Sequence, residues 1–336
     1  MNAVMVVGPG HDTRHRPTAG QGILLTLAGL LLIPAVASTV MRLIPPTDDA
    51  TALVASFIAY GVIPYAGALL CLVVALIRAR RRLALAVVSG IVALLTVLHL
   101  AWLGPLFVPD QRVARTPPFT VMSLNMYFGS ADPGGVAEMA QRADVVILVE
   151  VTPDALQALE GRAWNKRFPY SIGSSEEGVG GTAVYSRFRL SRAERIGVTE
   201  FQQWAVEVQV PGVGPVELLA VHPCNPYCGG GRWYSDHQLI SNAAAEYRQV
   251  PMIVAGDFNA VPDHGPMQQL RRMGLRSADD IVGAGWMPTY PARRRLPPLL
   301  PIDNVLVNDR LTATSVTSFR VRRTDHLGLL ATLAGT

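Results

Sequence analysis

Asn125, Glu150, His222, Asp257 and Asn259 each end or closely follow a short apolar run, in VMSLN, VVILVE, LLAVH and MIVAGDFN. Carboxylates offer the hard oxygen atoms that a divalent cation such as Mg²⁺ takes, imidazole moves protons near neutral pH, and amides add hydrogen bonds without charge. Ligands bind α/β sheets at the carboxyl ends of strands, so the group reads as a candidate sheet-top site. Taken singly, each has a plainer reading, because an acid closing a strand is most often a helix cap or a turn residue. Neither the G-x-S-x-G elbow of a serine hydrolase nor the H-E-x-x-H helix of a zinc enzyme occurs.

Such a site needs sheets to carry it. From Phe119 onward short β-branched runs alternate with polar stretches of helical period, the pattern of a layered α/β protein. Strands are expected over Phe119–Asn125, Asp144–Glu150, Thr182–Tyr185, Trp204–Val210, Val216–His222, Met252–Asp257, Asp303–Val307 and Ser315–Val321. Helices are expected over Pro133–Gln141, Pro153–Leu159, Tyr234–Arg248 and Pro266–Met273, with Asp236–His237 as surface residues of the third. Gly229–Trp233 reads as a flexible loop whose Arg232 and Trp233 could grip a substrate, or as a plain connection before the helix.

The motifs SLN at Asn125, LVEV at Glu150, GGTAVYSR at Gly180–Arg187, HP at His222–Pro223, GDFNA at Gly256–Ala260, ID at Ile302–Asp303 and TDH at Thr324–His326 follow one another in a telling order. In that order and at those intervals the sequence resembles the endonuclease/exonuclease/phosphatase superfamily, over about Phe119–Leu333. The resemblance implies an α/β fold, a four-layer sandwich of two packed mixed β-sheets flanked by helices. It also implies Glu150 as principal ligand of Mg²⁺ (or Mn²⁺), with Asn125 beside it and Asp325 as a second carboxylate. His326 would contact a phosphate oxygen or the attacking water while Asp303 holds its ring, the orienting logic of an acid–histidine pair. Asp257 would activate water or protonate the leaving oxygen, Asn259 would bind phosphate, and His222 would be a second, cationic donor. Two positions depart from common family patterns, Asn304 after Asp303 and Val149 before Glu150, and neither carries a catalytic atom.

Residues 1–108 are different in kind. Half of the chain's 336 residues are hydrophobic and 16% are charged, and the mean hydropathy is +0.28, too apolar for a soluble or disordered protein. Three uncharged stretches, about 22–41, 51–77 and 83–108, are long enough to cross a bilayer as helices. The first is too long for the core of a signal peptide. Arg14 and Arg16 precede the first stretch, and Arg78, Arg80, Arg81 and Arg82 lie between the second and third. Arg42 with Asp48 and Asp49 separates the first two, so the N-terminus is expected inside and everything after the third stretch outside, at the plasma membrane. His99 and Trp102 are expected at the outer headgroups. Residues 109–118 read as a linker to a domain over 119–336. On the oxidising side, Cys224 and Cys228 are expected to form a disulfide rather than a zinc site with His222 and His237.

The net charge of +4 arises wholly in the membrane third, which has seven Arg against three Asp, whereas 109–336 carries 22 basic and 22 acidic residues. That balance lacks the basic excess that drives duplex binding. The expected function is a membrane-anchored, metal-dependent phosphoesterase, with a lipid phosphodiester favoured by the tether. The alternatives are an extracellular nuclease on DNA or RNA and a non-catalytic phosphate-binding sensor. Arg293, Arg294 and Arg295 could attract an anionic substrate or form a solvated face.

Overall fold

The computed structural model describes residues 19–79, 82–292 and 297–336. Arg14, Arg16, Arg80, Arg81, Arg293, Arg294 and Arg295 lie outside the described residues. Two compact units emerge, one holding residues up to Ala37 with Tyr60–His99, the other Ser38–Ala59 with Leu100–Thr336.

The first four helices are α1 (Ala19–Leu43), α2 (Asp49–Ala55), α3 (Val62–Arg78) and α4 (Leu83–Leu103). Three helical stretches, Ala19–Leu43, Ile58–Arg78 and Leu83–Phe107, have mean hydropathies of 2.3, 2.2 and 2.5 and are candidate membrane spans. Their outward faces carry residues such as Ile33, Leu70 and Leu94, which fits membrane anchoring. Inside the first unit, Ala28, Ala35 and Ala68 pack with Tyr65, Leu72 and Val92, small side chains that let helices approach closely. His99 is buried, with its ring 5.0 Å from that of Tyr65. The second apolar stretch departs from expectation. Its first residues form α2, begun by an Asp48 carboxylate that accepts from the Thr51 amide at 3.0 Å, and the span starts only at Ile58.

The second unit continues with β1 (Phe119–Asn125), α5 (Pro133–Ala140), β2 (Val145–Val149), α6 (Pro153–Leu159), α7 (Arg162–Arg167), β3 (Tyr170–Ser174), β4 (Thr182–Ser186), β5 (Leu190–Arg195), β6 (Trp204–Val210) and β7 (Gly214–Val221). Then come α8 (Arg232–Glu246), β8 (Met252–Asp257), α9 (Gly265–Arg272), β9 (Arg276–Ser277), α10 (Ala278–Val282), β10 (Asp303–Val307), β11 (Leu311–Arg320) and β12 (Leu327–Gly335). They build two six-stranded mixed sheets, ordered β11-β12-β1-β2-β4-β3 and β5-β6-β7-β8-β10-β9. β1 runs parallel to β2, and β7 to β8.

Alternation along the strands separates three hydrophobic layers. Val121, Ile147, Val206, Leu218, Ile253, Val305 and Ala331 face one another between the sheets. On the outer face of the first sheet, Met122, Leu124 and Leu148 pack against Val136, Leu159 and Trp164 of its helices. Outside the second sheet, Leu219 and Val254 pack against Trp233, Ile240 and Met267, joined by Ala52 of α2. The result is the expected four-layer sandwich.

Every expected strand is present, and β3, β5, β9 and β12 were not anticipated. β3 and β5 are largely exposed edge strands with polar or glycine-containing sequences, YSIGS and LSRAER. β12, LGLLATLAG, has the composition of a helix; pairing on both sides with β1 and β11 makes it a strand.

Candidate active site

The parallel pairs put the carboxyl ends of β1, β2, β7 and β8 at one edge of the sandwich, delivering Asn125, Glu150, His222 and Asp257 there. β10 and β12 run antiparallel to β8 and β1, so they bring their first residues to the same edge: Asp303 pairs in register with Asp257, and His326 immediately precedes Leu327. Two glycines permit the close approach. A Cβ on Gly256 would lie 1.9 Å from the Val221 carbonyl oxygen, and one on Gly181 would lie 2.1 Å from that of Val151.

The side chains form a connected network. Asn125 Nδ2 donates to Glu150 Oε1 at 2.9 Å and to Asp257 Oδ2 at 3.0 Å, while its Oδ1 accepts from the Tyr127 amide at 2.8 Å. The amide of Phe128 donates to Glu150 Oε2 at 2.8 Å. Tyr127, Phe128, Glu150 and Asn259 have φ of 50°, 52°, 56° and 47°, a clustering of left-handed non-glycine residues typical of sites where surrounding structure holds strain. Asn259 donates from its amide to Asp257 Oδ1 at 2.8 Å and from Nδ2 to the Pro223 carbonyl at 3.0 Å. His326 Nδ1 is 2.8 Å from Asp303 Oδ2, and its Nε2 faces Asp257 Oδ2 at 3.7 Å and Asp325 Oδ1 at 4.0 Å. His222 stacks on Phe201, ring centroids 4.8 Å apart, with Nε2 3.9 Å from Glu150 Oε1.

Burial sets the protonation. It pushes the Glu150 carboxyl up against the lowering effect of the Asn125 and Phe128 hydrogen bonds. Burial and the neighbouring Asp303 raise Asp257 to about 6. Burial pulls His326 down, but Asp303, Asp257 and Asp325 outweigh it, so the ring is held protonated. Burial lowers His222 instead, which keeps it neutral. Three carboxylates, those of Asp303, Asp257 and Asp325, thus converge around one imidazolium, and Asp303 Oδ1 is buried without a hydrogen-bond partner. Ligand atoms of Asp257, Asp303 and His326 lie within 4.8 Å of one another, a cluster that could hold a metal ion only with the His326 ring deprotonated. An excess of buried hard-oxygen charge fits a divalent cation.

The geometry revises several expectations. Asn125 Nδ2 bridges Glu150 and Asp257. Burial lowers the His222 pKa, which works against the expected cationic role. Trp233 is fully buried, with its Nε1 donating to the Asn259 carbonyl at 3.0 Å, so it supports the site from behind and has no surface for a substrate. Arg232 is exposed and ion-paired with Glu200. Asp236 and His237 are buried, not surface residues: Asp236 accepts from the Cys224 amide at 2.9 Å, and the His237 ring meets Trp233 edge-on. Cys224 and Cys228 form a disulfide.

The sequence assigned no role to Thr324, although it opens the TDH motif, and none to Thr289. Thr324 Oγ1 donates to the Asn125 carbonyl at 2.8 Å and accepts from the His326 amide, and Thr289 Oγ1 accepts from the Asp303 amide. Thr324, two residues before a histidine, had a readable turn signature; Thr289, fourteen residues before Asp303, had none.

The sequence profile of the Endonuclease/Exonuclease/phosphatase family matches residues 122–326, and the chain belongs to that family. Its members are generally hydrolases of phosphate esters that use divalent metals. Among curated proteins none matches significantly. Solved structures share the fold: humanized D. rerio TDP2 carrying 14 mutations has a TM-score of 0.54 at 16% identity, over 64% of this chain and 98% of that one. Truncated Caenorhabditis elegans TDP2 gives 0.53 at 16%, over 65% and 98%. An endonuclease/exonuclease/phosphatase from Bacteroides vulgatus gives 0.52 at 15%, over 66% and 100%.

Proposed function

We propose that this protein is a membrane-anchored, divalent-metal-dependent phosphodiesterase acting outside the cytoplasm. The observation that carries the reading is the meeting of Glu150, Asp257, Asp303 and His326 in one buried network from both sheets. Bound at Glu150 with Asp325 nearby, Mg²⁺ or Mn²⁺ would neutralise phosphate charge and lower the barrier to attack at phosphorus. Asp303 holds the protonated His326 ring through Nδ1, leaving Nε2–H to donate to a non-bridging phosphate oxygen. Asp257, its pKa raised by burial and the neighbouring Asp303, takes a proton from the attacking water or returns one to the leaving oxygen. Asn259 and neutral His222 supply further hydrogen bonds to the phosphate.

The outside location rests on the arginines of the second linker, Arg78, Arg80, Arg81 and Arg82, against Arg42, Asp48 and Asp49 in the first. Two crossings separate Ser38–Ala59 from Leu100–Thr336, and the two share one compact unit, so whichever side holds the first linker also holds the domain. A substrate at the membrane, a lipid phosphodiester, follows from the tether.

The test is the purified full chain in nanodiscs, assayed on sphingomyelin, phosphoinositides, bis-p-nitrophenyl phosphate and plasmid DNA, with and without EDTA. Hydrolysis that EDTA abolishes and Mg²⁺ or Mn²⁺ restores is expected, with lipid preferred over DNA. Glu150→Gln is expected to lower turnover by roughly a thousandfold. Full activity in EDTA would remove the metal, and preference for DNA would replace the lipid by a nucleic acid.

A further inference from the structure

The stretch between the first two apolar helices is more than a connection. Ala52 of α2 is fully buried in the same hydrophobic layer as Trp233, Phe258 and Met267. Its carbonyl oxygen lies 2.9 Å from His264 Nε2, while His264 Nδ1 accepts from the Val261 amide at 3.1 Å. Those two partners require the neutral Nε2–H tautomer, and burial, which lowers His264 to about 4, maintains it. The His264 ring meets Trp233 edge-on with centroids 5.1 Å apart, Trp233 donates to the Asn259 carbonyl, and the Asn259 amide donates to Asp257. Three further contacts secure the segment. Arg42 pairs with Asp263 at 2.7 Å, Asp49 Oδ2 accepts from the Gly231 amide at 3.0 Å at the start of α8, and Gly265 lacks a Cβ where one would lie 3.0 Å from Pro45.

We propose that the inter-span segment Arg42–Ala55 is a positioning element of the active site, holding Asp257 and Asn259 through His264 and Trp233. The role in turnover rests on the phosphodiesterase reading above; the mechanical link to the Asp257–Asn259 turn does not. Its consequence is that residues 109–336 alone form an incomplete catalytic unit, because one wall of the helical layer behind the site comes from the membrane region.

The experiment compares full-length protein in nanodiscs with Arg42→Glu, Ala52→Leu and the exchange pair Arg42→Glu/Asp263→Arg. Two readouts are taken: amide hydrogen exchange over residues 257–264, with β1 and β2 as internal fold controls, and metal-dependent hydrolysis of bis-p-nitrophenyl phosphate. Both single variants are expected to raise exchange at Asn259 and Val261 at least tenfold while β1 and β2 stay protected. They should lower kcat about tenfold with KM within twofold, and the exchange pair should recover most of both. Unchanged exchange over 257–264 in Ala52→Leu would overturn the proposal. So would raised exchange with unchanged kcat, since the segment would then be structural only. If the wild-type protein hydrolyses nothing, the phosphodiesterase reading fails separately, and the exchange measurements still decide whether the segment holds the turn.

Discussion

At the scale of the residue, the site turns on one ring and the acids around it. His326 is buried, which by itself would favour neutral imidazole, yet Asp303 at 2.8 Å and Asp257 and Asp325 facing Nε2 hold it protonated. A histidine whose pKa is raised keeps its charge as pH climbs, until the raised pKa is reached. Asp303→Asn removes the nearest carboxylate and keeps the shape, so the His326 pKa should fall. If the imidazolium is the donor to phosphate, kcat/KM of the variant is expected to decline with rising pH at least one unit earlier than in the wild type, over and above a general loss of rate. His326→Gln should be about as slow as the double variant, because two residues acting as one unit cannot each be lost in full. Multiplication of the two losses, or an unmoved alkaline limb, would count against the pairing. Asn125 shows the same principle in a neutral group: one amide nitrogen ties Glu150 to Asp257 while its oxygen is held by the Tyr127 amide, so three catalytic candidates move together.

At the scale of the element, strand spacing decides whether those residues meet. Gly256, the first residue of the GDFN motif, pairs with Val221 across the parallel β7–β8 contact and has φ of 147°. A Cβ there would lie 1.9 Å from the Val221 carbonyl oxygen, a backbone atom held in the sheet. Gly256→Ala is therefore expected to separate the two strands that carry His222 and Asp257, with a loss of about 3 kcal/mol or more and little folded protein. Gly230 provides the contrast, since nothing lies within 4 Å of its Cβ position and only its φ of 66° opposes a side chain. Gly230→Ala should lose about 1 kcal/mol and retain activity. Thermal unfolding of the two variants side by side checks the distinction; equal losses would mean that backbone conformation, not strand spacing, governs the GDFN glycine.

Across the whole molecule, the acids far from the site leave their own signature. Glu217 of β7 stands directly opposite Glu207 of β6. Burial, with Glu194 and Glu246 adding and Arg192 opposing, raises its pKa to about 7. A carboxyl whose folded pKa exceeds the unfolded value makes the native state bind more protons, so stability falls as pH rises from about 4.5 to 7. Glu217→Gln removes that loss. The variant is expected to be more stable than the wild type by on the order of 1 kcal/mol at pH 8 and nearly equal to it at pH 4.5. Melting temperatures of the full chain at the two pH values test this, and an equal gain at both would assign the effect to packing instead.

The apolar stretches, the strands ending in Asn125, Glu150 and Asp257, and the TDH motif were legible because each depends on local composition: a run long enough for a bilayer, an alternation with period two, an acid after a β-branched run. The four-layer sandwich was an implication of the family resemblance that the ordered motifs carry. What local pattern could not carry was pairing. The strand fate of β12 depends on neighbours on both flanks, and Trp233, a plausible gripping aromatic in a glycine loop, is turned inward because α8 begins at Arg232 and must cover the second sheet. The protonation of His222 and His326 diverges for the same reason: two histidines of one intrinsic pKa receive opposite shifts, since three carboxylates surround one ring and an aromatic face covers the other. Nor did anything in residues 42–55 mark them as part of the catalytic unit. A backbone carbonyl at Ala52 has no residue signature, and its meeting with His264 at a separation of 212 residues exists only once the chain has folded back on itself.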